Sequence, residues 1–252
     1  MQTPPSGEDS LPFWRPSEDV LPAGVWFGMT TRLGGRSRGP YATFNVSLGV
    51  GDDAEAVRGN REALRAALGY PGPTPPLLSQ VHGAVLVAPA EAGTEADGFV
   101  VRSGDPWVAV SAADCAPVAI VSADGRHGAL LHSGWRGARA CIAARAVERL
   151  AAEGAERSTL HAAVGPCIHA CCFPVGADVA VGFDPSLRRP HPSGQEAVDL
   201  PGAIRRGLLD AGVPDARIHL ARECTSCAAD RFYSHRRDKG LTGRHWAFLR
   251  LS

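Results

Sequence analysis

The stretch AVLVAPAEAGTEADGFVVRSGDPWVAVSAADCAPVAIVSADGRHGALLH, residues 84–132, decides the fold class. It holds five short apolar runs: AVLVAP (84–89), GFVV (98–101), WVAVSA (107–112), PVAIVS (117–122) and GALLH (128–132). Runs of four to six residues, parted by turn signals such as Ala123-Asp124-Gly125, predict consecutive strands. Working outward, VWFGMTT (25–31), HAAVG (161–165), RIHLA (217–221) and HWAFLRL (245–251) read as further strands. Three helical patterns interrupt them. The first opens at Asp52 with Glu55 in capping-box position, carries Val57, Leu64 and Leu68 on one face with Arg58, Arg61 and Arg65 elsewhere, and stops at Gly69. The second covers about 138–152, with Val147, Leu150 and Ala151 inward. The third starts near Asp199, with Leu200, Ile204 and Leu208 on one stripe. Clustered strands relieved by a few helices predict an α+β fold with mixed sheets rather than strict βαβ alternation. Pro4, Pro5, Pro12 and Pro16 among Ser and Glu mark residues 1–20 as a flexible N-terminal tail.

Composition narrows the function classes. The 252 residues are 44% apolar, enough for a substantial core. The 26 basic and 26 acidic side chains cancel, which removes the global basic excess expected of a nucleic-acid or anionic-membrane binder. Lys239 is the single lysine; the other 25 cations are arginines, whose planar forks suit phosphate and carboxylate, although a GC-rich genome produces the same bias. The longest charge-free stretch, 158–177, is broken by Pro166, Pro174, Gly165, Gly176, His161 and His169, so it is no membrane span. MQTPPSGEDS lacks the basic and apolar regions of a secretory signal. Seven cysteines, an odd number spread along a mid-sized chain, fit a reducing cytoplasm with thiols free for metal or catalysis and exclude a disulfide-rich module.

Three residues stand where strands meet loops: His82 in SQVHG, Cys115 in AADCAP and His132 at the end of GALLH. Two imidazoles and a thiolate would leave the fourth tetrahedral position of a zinc ion open, as in catalytic sites. Their spacing is long and irregular, so each alone reads better as a core histidine or a buried thiol. A Cys–His nucleophile pair built on Cys115 is a second functional reading. After His132, the segment SGWRGARA runs from a glycine-bearing loop into a helix start carrying Arg136 and Arg139, a pattern suited to an anion. The same glycines would also serve a tight turn with Trp135 in the core. TTRLGG (30–35) places Arg32 just past a strand, before two glycines that allow close backbone approach. The run FYSHRRDKGLTGRHW (232–246) concentrates Arg236, Arg237, Lys239 and Arg244; Asp230 and Asp238 interrupt it, which favours a solvated face over a nucleic-acid stripe. Among the remaining cysteines, Cys224 and Cys227 form a CxxC, and Cys167, Cys171 and Cys172 cluster. Adjacent Cys171 and Cys172 would point apart on a strand, so buried free thiols are preferred over structural zinc.

TTRLGG, FNVSLGVGDD (44–53) with Asn60-Arg61, SQVHG, ADCAPV, HSGWRG, GPCIHACCFPVG (165–176) and SHRRDKGLTGR (234–244) follow one another in an order that resembles the laccase-domain family. Its members were once called multicopper polyphenol oxidoreductases and are now purine nucleoside phosphorylases with adenosine deaminase activity. The resemblance spans about residues 28–250. It implies a single compact domain over 21–252, with mixed sheets packed together and helices outside. It also implies a zinc site at His82, Cys115 and His132, and a phosphate-binding arginine at Arg32. Ala112 and Ser133 replace the family's usual Thr and Ala, and Pro174 stands where an acidic residue is frequent.

The expected function is therefore zinc-dependent phosphorolysis of adenosine, inosine, guanosine or methylthioadenosine to free base and ribose-1-phosphate, with adenosine deamination as a side activity. Arg32 and Arg136 would hold phosphate, and Asp114, beside Cys115, would carry a proton or orient a ligand. The partners are small purine nucleosides and inorganic phosphate, with neither nucleic acid nor membrane, in a cytoplasmic monomer or small homo-oligomer. Two alternatives come from other chemistries. One is a Cys–His amide or ester hydrolase, such as a peptidoglycan-precursor editor. The other is a copper-dependent polyphenol oxidase, since the same ligands would take copper in vitro. Nine histidines without one His-x-His pair argue against a multinuclear copper centre. The H-x-E and P-C-x-x-C signature of zinc deaminases is also missing.

Overall fold

The computed structural model describes residues 13–72 and 74–251. All five runs of 84–132 become strands, the first shortened to Leu86–Val87 and the others Gly98–Arg102, Val108–Ala112, Ala116–Val121 and His127–Ser133. They divide between two sheets. A six-stranded mixed sheet runs Ile218–Leu220, His161–Val164, Ala116–Val121, His127–Ser133, Gly98–Arg102, Leu86–Val87. A four-stranded antiparallel sheet runs Phe13–Trp14, Trp26–Thr30, His245–Arg250, Val108–Ala112. A three-stranded sheet of Arg188–Pro190, Glu196–Val198 and Pro174–Val175 lies apart.

The strands read as unbroken apolar runs because both large sheets are covered on both faces. Val118, Ile120, Ala129 and Leu131 face a core shared with Ile142, Val147, Leu150, Leu200, Ile204 and Leu208 of the helices. Their strand neighbours Ala119, Val121 and Leu130 face the opposite way, meeting Phe27, Met29, Val108, Val110, Ala247 and Leu249 of the other sheet. On that sheet's far side, Ala109, Trp246 and Phe248 pack against Phe44, Tyr70 and Leu64 of the first helix. The order is helix, sheet, sheet, helices. Each fully buried Val, Leu, Ile or Phe contributes roughly 1.5–3 kcal/mol, so a one-residue slip in any inner strand would be prohibitive. No helix among the described residues is long and apolar enough to cross a membrane.

Several local expectations change. The first helix, Ala54–Leu68, is capped by Asp53, whose carboxylate accepts from the Glu55 N–H at 3.0 Å. Asp52 instead accepts from Asn45 Nδ2 at 2.9 Å, which ties the preceding loop down. Gly69 ends the helix at φ 69°, as expected. Arg61 is not solvated: its Nε donates to Val46 O at 2.7 Å and its guanidinium covers the Trp246 ring. The second helix is two pieces, Trp135–Arg139 and Ile142–Ala152, broken at Cys141, which takes φ 57°. The third, Leu200–Asp210, is capped by Asp199 as read. Of the expected tail, Phe13 and Trp14 pair with Thr30 and Met29, and Trp14 is buried, so the sheet begins inside it. Residues 1–12 lie outside the described residues.

His245 opens the last strand in the buried interior, where its Nε2 accepts from the Tyr233 N–H at 2.8 Å. Burial first, and then the nearby Arg32 and Arg244 cations, push its pKa down to about 3. The folded chain therefore keeps this ring neutral while the unfolded chain protonates it near its ordinary value of about 6.5. The resulting stability is fully present above that value and is lost as pH falls toward the folded pKa. A His245→Gln chain keeps an acceptor but cannot titrate. Urea unfolding should show the wild-type advantage shrinking by up to about 1.4 kcal/mol per pH unit below pH ~6. An advantage that is the same at pH ~7 and pH ~5 would contradict this assignment.

Candidate active site and metal centre

Strand register builds the site. Gly98 pairs with Leu131, so Asp97 stands across from His132, whose N–H donates to Asp97 O at 2.7 Å. Opposite residues of an antiparallel pair share a face, which brings the two side chains together. On the other side His132 pairs with Pro117, and Cys115, two residues earlier, is its diagonal neighbour on that face. His82 arrives from the loop before Leu86, with φ 60°. The ligand atoms of His82, Cys115 and His132 all lie within 4.8 Å of one another.

Asp97 is wholly buried and organises this trio. Its Oδ1 accepts from His132 Nδ1 and from the His82 N–H, both at 2.9 Å. Its Oδ2 accepts from the Gly83 N–H at 2.6 Å and the Val81 N–H at 3.3 Å. One carboxylate thus fixes the His132 ring, leaves its Nε2 for a ligand, and holds the His82 backbone in a left-handed conformation that a non-glycine residue rarely adopts. Burial opposes ionisation of Asp97, but the hydrogen bonds from His132, Gly83 and His82 prevail and lower its pKa. Burial also disfavours the Cys115 thiolate, yet His132 and then His82 draw its pKa down to about 6. His132 moves the other way, to about 9, because Cys115 and Asp97 outweigh its own burial.

The trio suits a metal on a further ground. A Cβ at Gly134 would lie 2.9 Å from Cys115 Sγ and 3.3 Å from His82 Cδ2, so this glycine keeps the space between the ligands clear. One thiolate with two imidazoles matches zinc or copper rather than a hard cation, and three protein ligands leave a position for a small molecule.

The trio lies in a cleft of about 520 Å³. Its lining interleaves apolar Leu78, Ile168, Phe173, Leu200 and Trp135 with Arg136, Arg236, Arg244 and the His235 ring; Arg236 lies over Phe173. Arg136 is where the sequence puts it, with its guanidinium over the Trp135 ring at 4.2 Å. The helix that carries it spans Trp135–Arg139 with Gly134 as its N-cap, and Gly134 and Trp135 also line the cleft. Arg32 is not at the cleft wall. Its Nε donates to Ala42 O at 2.7 Å and its Nη1 to Ala229 O at 2.9 Å, and the group covers Tyr233, which ties loops together. Asp114 reaches the cleft, but its carboxylate is occupied. Oδ1 accepts from Thr225 Oγ1 at 2.6 Å, and Oδ2 accepts from Ser234 Oγ at 3.0 Å and the Arg236 N–H at 2.7 Å. It orders the loop bearing His235 and Arg236, and Asp97 is the orienter of the histidine.

Asp97 escaped the sequence reading because an acid at the start of an apolar strand is a weak signal without the pairing register. Arg244 and Arg236 were read as a solvated face, yet both line the cleft. Cys171 and Cys227 are exposed rather than buried.

Replacing Asp97 by Asn should weaken divalent-metal binding about 10- to 100-fold, by loosening the His132 ring and the His82 loop together. Competition against a chromophoric chelator would measure this. Unchanged affinity would show that Asp97 does not set the ligand geometry.

The family described as multi-copper polyphenol oxidoreductase laccase matches residues 26–252. The chain is 37% identical over 247 residues to the purine nucleoside phosphorylase YlmD of Geobacillus stearothermophilus, covering 90% of each. It is 39% identical over 229 residues to a purine nucleoside phosphorylase of Deinococcus radiodurans, covering 88% of this chain and 87% of that one. It is 33% identical to adenosine deaminase RL5 from an unknown prokaryotic organism, over 85% of this chain and 89% of the relative. The crystal structure of the Geobacillus YlmD superposes with a TM-score of 0.86 at 35% identity, covering 95% of this chain and 96% of that one. Motifs, fold and relatives agree, and the chain belongs to the multi-copper polyphenol oxidoreductase laccase family.

Proposed function

We propose that this chain is a metal-dependent purine nucleoside phosphorylase that also deaminates adenosine. The observation that carries this reading is one cleft combining the His82–Cys115–His132 trio with three arginines and several apolar side chains. The activities for which the relatives are named support it. Apolar Leu78, Ile168, Phe173 and Leu200 take the purine plane. Arg136, Arg236 and Arg244 seat inorganic phosphate, a role that the sequence reading assigned to Arg32 and Arg136. Phosphorolysis forms a bond from a phosphate oxygen to ribose C1′ as the C1′–N9 bond breaks. The electron pair leaves on the purine, which takes up a proton; His235, which lines the cleft, is the candidate donor. For deamination a water oxygen bonds to C6 and the 6-amino group leaves as ammonia. His82, Cys115 and the free ring nitrogen of His132 would hold a zinc ion, which would supply the Lewis acid that this reaction needs. Adenosine, inosine, guanosine and methylthioadenosine are the candidate substrates.

The Cys115 thiol, drawn to about 6 beside a histidine, favours a second reading as a thiol-dependent amide or ester hydrolase. A polyphenol oxidase fits less well. Among the described residues, the groups of clustered ligands are this trio and four cysteines, and neither is a polyhistidine copper centre.

Purified protein incubated with adenosine or inosine should release free base and ribose-1-phosphate only when phosphate is present. Cys115→Ser should lower that rate at least about 100-fold, the scale expected when a group acting on the reacting atoms is lost. Amide cleavage by chelator-treated protein would favour the hydrolase, and oxygen-dependent phenol oxidation with copper would favour the oxidase. Arg244→Ala should raise KM for phosphate about tenfold with a smaller change in kcat, the value of one charge-assisted contact. An unchanged phosphate KM would remove Arg244 from the phosphate seat.

A further inference from the structure

Beyond the cleft, Cys171, Cys172, Cys224 and Cys227 converge from two separate turns, with their sulfur atoms all within 4.8 Å of one another. Cys171 and Cys172 occupy a turn rather than a strand, so the two neighbours need not diverge and both reach the other pair. Cys227 Sγ lies 3.4 Å from Cys172 Sγ and 3.6 Å from Cys171 Sγ. Four thiolates around a zinc ion, with Zn–S near 2.3 Å, stand about 3.8 Å apart along a tetrahedral edge. That spacing is close to the one found here and far longer than a disulfide bond of about 2.05 Å. We propose that these four cysteines form a second, structural metal centre, a zinc tetrathiolate separate from the His82–Cys115–His132 trio.

Backbone contacts tie the two cysteine-bearing segments together. The His169 N–H donates to Cys224 Sγ at 3.4 Å, and the Thr225 N–H donates to Cys167 O at 3.0 Å, which locks the two turns side by side. Arg237 Nη1 binds Thr225 O at 3.0 Å and Ser226 O at 3.2 Å, bringing a cation to the Cys224–Cys227 turn, where a tetrathiolate would carry excess negative charge. Four protein ligands close the coordination shell, which is the mark of a structural site. The centre would clamp together the two segments that make one wall of the cleft. The first supplies Ile168 and Phe173, and the second, through Thr225 and Asp114, anchors the loop of His235 and Arg236.

The test is metal content of the full chain, purified under reducing conditions and measured by elemental mass spectrometry. Wild type should carry two zinc ions per chain, and His82→Ala and Cys227→Ser should each carry one. Cys227 is exposed, so its loss leaves the core intact. As a second measurement, the metal-stripped His82→Ala chain titrated with Co(II) should show intense thiolate-to-cobalt charge transfer and strong tetrahedral visible bands. Both should be absent when Cys227→Ser is added. A single zinc ion in wild type that Cys227→Ser leaves in place would overturn the proposal. So would a Cys172–Cys227 disulfide in the reduced-purified protein, or a cobalt spectrum that Cys227→Ser does not change. Because none of these readouts uses nucleoside turnover, failure of the proposed activity and failure of this centre are separable.

Discussion

The carboxylate of Asp97 accepts four hydrogen bonds, one from the His132 ring and three from the backbone of residues 81–83. It is fully buried, so leaving it uncompensated would cost several kcal/mol. The donors that offset that cost are the ones the site requires. His132 is given its tautomer, and the His82 loop is drawn to the sheet edge in a strained conformation. The stability of the buried acid and the geometry of the ligand trio are thus one requirement, met by the same four contacts.

That arrangement rests on the pairing of the inner strands. Asp97 and His132 meet because Gly98 pairs with Leu131, and Cys115 joins them because Pro117 pairs with His132. The register is held by the packing between the two sheets, where Phe99, Leu130 and Ala119 face Met29, Val110 and Ala247. A shift of one residue would turn Leu130 toward the helices and the ligands away from the cleft.

The cleft's outer wall is ordered differently, by polar contacts among loops. Asp114 gathers Thr225, Ser234 and the Arg236 backbone, while Arg237 binds Thr225, Ser226 and Phe232 carbonyls. Arg32 binds the 42 and 229 carbonyls, and Tyr233 Oη donates to Tyr41 O. Arginines here serve two purposes. Arg32, Arg61 and Arg237 spend their forks on backbone carbonyls outside the cleft, whereas Arg136, Arg236 and Arg244 line it, Arg236 also donating to Pro174 O and Arg244 to Thr242 O and Gly243 O. The zero net charge is compatible with local anion recognition because a few forks in one cleft suffice.

Apolar run lengths, turn signals and helical stripes are local properties, so the sequence alone determined the strands of 84–132, the three helical regions and the α+β class. It also singled out His82, Cys115 and His132, because each lies where a strand gives way to a loop. Which arginines face the cleft was not legible, since Arg32 and Arg244 both sit in glycine-bearing loops and differ only in which backbone carbonyls lie within reach. Asp114 read as a proton carrier or an orienter of a ligand because it adjoins Cys115 in sequence; tertiary contacts from residues 225–236 take up its oxygens. Asp97 and the meeting of Cys171 and Cys172 with Cys224 and Cys227 depend on residues 35 to 56 positions apart. Only strand register and loop packing bring such partners together, because burial of a charge or a thiol is set by the partners around it and not by its neighbours in the chain.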